Sequence, residues 1–555
     1  MLILELLSAS SRGRRVSRAP GCLVALLTLG GCFLPTLTEG SAPDVAGQAV
    51  RMTFLHTSDI HSRVFEYNFE PSFTDESLGL EGDAGPFGGM AEVATLLKRE
   101  RANAGRVLHL DSGDSFQGAI VFNEFSGEAE FRALSEAGLD GAVIANHEFD
   151  AGAPNLAEQI AGAAAFPLLA ANYQFENSEL PYVAALQDLV LPSVIYDMDG
   201  LRVGVIGLAN LSSLNSIYDE SNSMDIKVLE IGDVIPSQAA LLRAEGADII
   251  VIVSHMGLDD DIEIARQFPE IDLILGGHHH VAIDPPLVVT NEVTGKRIVV
   301  CHSGAFAKFV GRLDIVVKDG AIVSHDYELF PVDASVAKDP AVWEILQEYQ
   351  EQLDYDYNLS QVLGYANETL LRYGSTGGDS MLGNLTAEAM RAYPGVETEF
   401  ALTNTLGIRA DIPAGDITLD SLYNAMPFDN TITTMFLSGR EVQELLDYVT
   451  SRSSERGCSS QAQVAGVEFT MDCGNQVAED IRINGAPVSP DGTYELATNN
   501  YIARGGSGFD VLERNTTQFD TGISIRDVVL EAIVSYATLP QAGVCQEDGR
   551  IQVVY

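Results

Sequence analysis

The sequence predicts an α/β protein, with a layered domain built on buried strands followed by a smaller domain that mixes helices and strands. Three observations lead there. From Arg51 onward short, β-rich apolar runs recur, each followed by polar or Gly-rich residues, which is how strands buried on both faces read. Helical patterns lie between some of these runs. Near Val332 the pattern stops, and a different mixture begins beyond a long helix-like stretch.

The elements follow in chain order. Residues 1–32 read as a signal peptide. Arg12, Arg14, Arg15 and Arg18 form a basic region, Gly21 to Gly31 is an apolar run, and Cys32 follows. A run of about 11 residues is too short to span a bilayer and suits a signal-peptide core. Leu29-Gly30-Gly31-Cys32 resembles a bacterial lipobox, which implies a lipid anchor at Cys32; the alternative is plain secretion with cleavage before Ser41. Residues 33–50, rich in Pro, Thr, Gly and Ala, read as a tether. The first domain is expected over 51–333. Its strands are expected at Met52 to His56, Arg106 to Leu110, Gly141 to Ala145, Leu201 to Ile206, Ala247 to Val253 and Ile271 to Leu275, with helices at Gly89 to Arg101 and Ser237 to Glu245. Residues 334–358 read as a linker, with a polar amphipathic helix from Ala334 to Asp354 that carries the only tryptophan, Trp343. The second domain, 359–555, is expected to hold a helix at Gly383 to Tyr393, strands near Glu399 to Thr403 and Tyr494 to Thr498, and a Gly-rich loop at Gly505 to Gly508. No later run reaches 18 apolar residues, so no transmembrane helix is predicted.

Composition narrows the partners. The chain has 555 residues, with 79 Asp plus Glu against 32 Lys plus Arg and a formal charge of -47. Such a surface repels phosphate backbones and argues against a nucleic-acid polymer as partner; an acidic, solvated face tuned for solubility is the simpler reading. A small anionic substrate would need local positive charge from metals and a few arginines. Export permits disulfides. Cys458 and Cys473 flank the strand-like Val464 to Thr470 and can close a short loop, Cys301 reads as a buried thiol, and Cys545 is free or paired.

Five segments at expected strand ends carry the chemistry: Asp59-Ile60-His61, Gly113-Asp114, Asn146-His147-Glu148-Phe149-Asp150, Ser254-His255, and Gly276-Gly277-His278-His279-His280. Ligands in α/β sheets bind beyond the strand carboxyl ends. Alone, each segment is weak, since a single His near a strand is more often a satisfied core or surface residue. In an extended segment Asp59 and His61 would share one face, as would His278 and His280, leaving His279 facing away. Asp, His and Asn together suit divalent Zn, Mn or Fe rather than a calcium cage. His147 and Asp150, three apart, would meet across one helical turn; the competing reading is that Asn146-His147-Glu148 only caps a helix.

The five segments in this order resemble the calcineurin-like metallophosphoesterases, and within them the 5′-nucleotidase family of exported bacterial enzymes, over nearly all of Arg51 to Val554. The resemblance implies a four-layer α/β/β/α metallophosphoesterase domain followed by a smaller α+β substrate-binding domain. It implies two divalent metal ions, one held by Asp59, His61, Asp114 and His280, the other by Asp114, Asn146, His255 and His278, with Asp114 bridging. It makes His147, oriented by Asp150, the group that stabilises the phosphoryl transition state or protonates the leaving oxygen. In the second domain Gly383-Asn384-Leu385, Asn404 to Arg409, Pro427 to Asn430 and Asn499 to Phe509 resemble the family's nucleotide-binding domain. By that resemblance Arg409 binds phosphate, Asn404 contacts the base, and Phe428 and Tyr501 sandwich it; guanidinium geometry suits phosphate and π faces suit bases.

Three departures stand out. Ser507 occupies the position where relatives carry an acidic ribose-binding residue. Gly374 to Ser380 lacks the arginine that close relatives place just upstream of Gly-Asn-Leu; Arg372 is not expected to reach, Arg504 is the candidate replacement charge, and Asn404 to Gly407 has fewer glycines than the family pattern. The expected function is an exported, periplasmic or cell-surface phosphoric-ester hydrolase. It converts nucleoside monophosphate to nucleoside and phosphate, with UDP-sugar and 2′,3′-cyclic nucleotide hydrolysis as further activities to test. Two alternatives stand beside it: a two-metal hydrolase of a non-nucleotide ester, as in the family's thiosulfate-carrier hydrolases, and a non-catalytic surface ligand-binding protein on the same fold. The partner is a small phosphate ester, with membrane contact only through a lipidated Cys32.

Overall fold

Continuous apolar runs become strands because both their faces are covered. The computed structural model describes residues 45, 47–69, 71–175, 181–210 and 226–555. The expected leader with its lipobox Cys32, and residues 33–44 and 46 of the tether, lie outside the described residues.

The N-terminal domain stacks two sheets. The first runs, edge to edge, Ala321–Pro331, Phe309–Lys318, Ala49–Thr57, Val107–Asp111, Gly141–Val143, Leu168–Leu169 and Val190–Leu191. The second runs Leu287–Thr290, Arg297–His302, Leu273–Gly276, Ile249–Ser254, Leu201–Leu208 and Ser193–Met198. Phe54, Leu108 and Val143 of the first sheet share one core with Val203, Val251 and Leu273 of the second. Helices Met90–Ala102, Glu128–Ala137 and Gly152–Gly162 cover the far face of the first sheet, and Ile231–Ala244 and Leu258–Gln267 cover the far face of the second. This is the helix–sheet–sheet–helix order the sequence led us to expect. Each fully buried Leu, Val or Phe contributes about 1.5–3 kcal/mol.

The strands that matter for function are parallel. Thr57 registers with Asp111 and Asp111 with Ala142 in the first sheet, and Ser254 with Gly276 in the second. Their carboxyl ends therefore emerge along common edges, and the loops that leave them meet.

The long helix that follows strand Ala321–Pro331 of the first sheet spans Pro340–Tyr357. It starts later than the expected Ala334, because the Asp339 carboxylate accepts from the Ala341 and Val342 amides and Pro340 occupies the first turn, where no amide proton is needed. Its Val342, Leu346, Tyr349 and Leu353 pack into the core beneath the first sheet.

The C-terminal domain has a five-stranded sheet ordered Ala462–Ala465, Phe400–Asn404, Thr493–Asn499, Thr431–Ser438 and Phe519–Ser524. Helices Met381–Ala392 and Ile525–Tyr536 pack in one core, and Gly439–Ser454 in another. The Ser438 hydroxyl and the Glu441 carboxylate cap the start of the last helix reciprocally. Cys458 and Cys473 are disulfide-bonded, while Cys301 and Cys545 are buried thiols. Among the described residues no helix is long and apolar enough to cross a membrane.

Candidate metal centre

Strand Ala49–Thr57 delivers Asp59 and His61, and strand Val107–Asp111 delivers Asp114. The two loops hold each other: the Asp59 amide donates to Gly113 O (2.8 Å), the His61 amide to Asp114 O (2.9 Å) and the Ser62 amide to Ser115 O (2.9 Å). The backbone here is not the extended one we expected. Asp59 and His61 lie at φ 50°, Asp114 at 56°, His278 at 78° and His280 at 57°. The side chains do converge, but left-handed turns after the strand ends aim them, not the alternation of a strand. Such φ values cost energy for non-glycine residues and persist where the surrounding structure enforces them. Gly113, at φ +84°, has no such option, since a Cβ there would lie 2.7 Å from the Ala145 Cβ.

Three sets of donor atoms lie within 4.8 Å of one another: Asp59, His61 and His280; His61, Asp114 and His147; Asp114, His255 and His278. Backbone carbonyls fix two of the rings. His61 Nδ1 donates to Gln117 O (2.8 Å) and His255 Nδ1 to Ser112 O (2.6 Å), so in both rings Nε2 turns inward. His255 Nε2 is 3.0 Å from Asp114 Oδ2, and His280 Nε2 is 3.5 Å from Asp59 Oδ1. Asp59 is held by the Ser58 hydroxyl (2.7 Å) and the His278 amide (3.0 Å). Asn146 is buried, and its Oδ1 has no hydrogen-bond donor. His279 turns outward to accept from the Leu258 amide (3.2 Å).

The electrostatics favour a cation. Burial lowers the pKa of His61, His278 and His280 well below the usual imidazole value and keeps them neutral, as ligands must be. At His255 burial pulls the same way, but the Asp114 and Asp59 charges outweigh it and push the pKa up to about 10. Burial opposes ionisation of Asp114, yet the charges of His255 and His147 hold its carboxyl well below the usual range. Three neutral imidazoles, two buried carboxylates, an orphaned amide oxygen and a His255 proton that a cation would displace fit divalent cations.

His147 opens a 3₁₀ turn, His147–Phe149, that brings its Nδ1 to 2.6 Å from Asp150 Oδ2. Burial would lower its pKa; the Asp150 and Asp114 charges outweigh this, and the net shift is upward. At Asp150 burial outweighs the imidazole, and that pKa rises too.

From the C-terminal domain, Arg409 and Phe428 reach this centre. Arg409 Nη2 is 3.0 Å from His61 Nε2, its guanidinium stands 5.9 Å from the Phe428 ring, and Phe428 lies 6.1 Å from the His147 ring. Arg372 donates to Arg409 O (2.7 Å) and so lies beside the phosphate-binding candidate. Asn404, Tyr501 and Ser507 are held within their own domain: Asn404 Oδ1 accepts from Asn499 (2.8 Å), and the Tyr501 hydroxyl and Ser507 Oγ are 3.2 Å apart. Arg504 is exposed, 3.9 Å from Asp520.

Sequence reading missed Glu148 and Arg63. The buried Glu148 carboxylate accepts from the amides of Ala145 (2.8 Å), Ser115 (2.7 Å) and Asp114 (3.2 Å), tying two ligand loops together. Buried Arg63 donates to Asn424 of the C-terminal domain. A charged residue within or beside each ligand segment was the available signal.

Residues 52–282 match the family model described as calcineurin-like phosphoesterase, and 362–514 match that of the 5′-nucleotidase C-terminal domain. The chain is 27% identical over 570 residues to the trifunctional nucleotide phosphoesterase protein YfkN of Bacillus subtilis (strain 168), covering 95% of this chain but only 36% of that protein. It is 26% identical to a 5′-nucleotidase of Diplobatis ommata, covering 86% of each. The crystal structure of a 5′-nucleotidase precursor from Thermus thermophilus superposes with a TM-score of 0.81 at 28% identity, covering 91% of this chain and 99% of that one.

Proposed function

The chain belongs to the calcineurin-like phosphoesterases that carry a 5′-nucleotidase C-terminal domain, and from that premise we propose that it hydrolyses nucleoside monophosphates to nucleoside and phosphate outside the cytoplasm. That it is a phosphoesterase hydrolase follows from the family. The nucleotide preference is our reading, and one observation carries it. Arg409 and Phe428 of the C-terminal domain meet His61 and His147 of the N-terminal domain, which supports reading them as the phosphate-binding and stacking groups beside the metal centre.

Asp59, His61, Asp114 and His280 would hold one cation, and Asp114, Asn146, His255 and His278 the other. Two divalent cations supply Lewis acidity to phosphoryl oxygens and acidity to water. The chain's own residues do the rest. Arg409 neutralises phosphate charge. His147 commits Nδ1 to Asp150, so Nε2 is the atom that donates to the phosphoryl group or to the leaving oxygen. Phe428, with Tyr501, stacks on the base, and Asn404, whose oxygen accepts one bond from Asn499, contacts its edge. We assign 51–333 to the metal domain, 334–358 to the linker and 359–555 to substrate binding, with an exported N-terminus anchored at Cys32.

One observation favours a second reading. The Ser507 hydroxyl lies beside Tyr501 rather than presenting a charge to a ribose, which suits a non-nucleotide ester. Turnover of AMP, UDP-glucose and an aryl phosphate, with and without chelator, separates the two. Chelator-sensitive preference for AMP supports nucleotide hydrolysis; equal use of the aryl phosphate supports the second reading; inertness with added Mn or Zn refutes both.

A further inference from the structure

The short segment that carries Phe428 is gripped from both domains, and neither grip involves the metals. Within its own domain, buried Arg526 donates Nη1 to Met426 O (3.0 Å) and Pro427 O (3.2 Å), and Nη2 to Asp429 Oδ1. Its guanidinium also lies 4.1 Å from the Tyr423 ring. From the other domain, Asn123 on helix Ile120–Phe125 donates Nδ2 to Pro427 O (3.0 Å) and Asp429 Oδ2 (3.2 Å). The two grips share acceptors: Pro427 O takes one bond from each, and the two oxygens of Asp429 are divided between them. A carbonyl has two lone pairs and a carboxylate about four, so both donors can bond at once.

We propose that Asn123 is a positioning and specificity-determining residue: with Arg526 it seats the 426–429 segment so that Phe428 faces His147. Arg526 shapes the segment whatever the domains do, because it belongs to the same domain. Asn123 bonds it only when the two domains stand as they do here. Its two bonds bracket Phe428 in sequence, on residues 427 and 429, so they set the height and tilt of that ring above the metal centre. Small phosphate esters make no use of a stacking ring, whereas a nucleobase does, and Asn123 therefore acts on the choice between them. The proposal rests on the nucleotide reading given above.

The test uses the full chain with Mn or Zn. Asn123→Ala should lower the ratio of kcat/KM for AMP to that for p-nitrophenyl phosphate about tenfold, through KM for AMP, and should raise amide hydrogen exchange across 426–430 with no substrate present. Asn123→Asp, which sets a carboxylate against Asp429 and Pro427 O, should lower the ratio further, and adding Asp429→Asn should recover part of that loss. A parent enzyme with no preference for AMP refutes the nucleotide reading and this inference with it. A parent that prefers AMP, together with an Asn123→Ala ratio within twofold of parent, overturns the inference alone. So does unchanged exchange at 426–430, or a double variant no better than Asn123→Asp. A rise in exchange with the ratio unmoved marks a merely structural contact and equally overturns it.

Discussion

Replacing Asp150 by Asn isolates the contribution of one hydrogen bond to turnover. In the parent, His147 Nδ1 and Asp150 Oδ2 are 2.6 Å apart, and the side chains keep only 14% and 6% of their exposure. A hydrogen bond to a charged group is worth about 1.5–3 kcal/mol. If that energy is expressed in the transition state, at about 1.36 kcal/mol per decade, its loss slows turnover about 10- to 150-fold. The amide keeps the shape but removes one of the two charges that together outweigh burial in raising the His147 pKa. A smaller share of His147 is then protonated at neutral pH, and the alkaline limb of the rate profile moves to lower pH. Replacing His147 by Ala removes the donor altogether and should cost about 10²–10⁴-fold. The assay is initial rate on AMP across pH 5–9, with metal content measured on the same samples, because Asp150 contacts His147 and no assigned ligand. Turnover within twofold of parent in Asp150→Asn, or a loss of metal that tracks the loss of rate, would refute the dyad.

Other outcomes follow from the same geometry. Asp114→Ala should lose metal and slow turnover by more than about 100-fold, the upper figure for losing a partner outside the ligand set; near-normal turnover would reject the bridging role. Phe428→Ala with Tyr501→Ala should raise KM for AMP far more than KM for an aryl phosphate, and equal effects would count against stacking. Gly276→Ala should lower Tm, because a Cβ there would meet Asp261 Oδ2 at 2.1 Å and His302 Nε2 at 2.3 Å and wedge apart a buried pair now 2.9 Å apart. Overpacking of this kind costs about 1–3 kcal/mol, and an unchanged melting curve would show that the pair yields freely.

What the sequence disclosed depended on range. Buried strands such as Ile249–Ser254 write themselves as unbroken apolar runs, and the donor residue types that follow such runs already name a metal chemistry. The turn geometry was not written locally. Asp59 and His61 are left-handed because their amides bond the Gly113–Ser115 loop, a partner from another strand. The start of the long helix was legible in Asp339-Pro340, an N-cap followed by a proline, but the polar pattern of Ala334 to Lys338 extended the prediction past it. Arg63 and Glu148 sit beside or within ligand segments, but their contacts, like those of Asn123, exist only once distant segments meet.

Seven side chains, by this reading, gather around a pair of cations. Anomalous diffraction from crystals grown with Mn or Zn tests it directly. Two peaks are predicted, one among Asp59, His61, His280 and Asp114, the other among Asp114, Asn146, His255 and His278. A single peak, or no metal among these seven side chains, would overturn the two-cation centre.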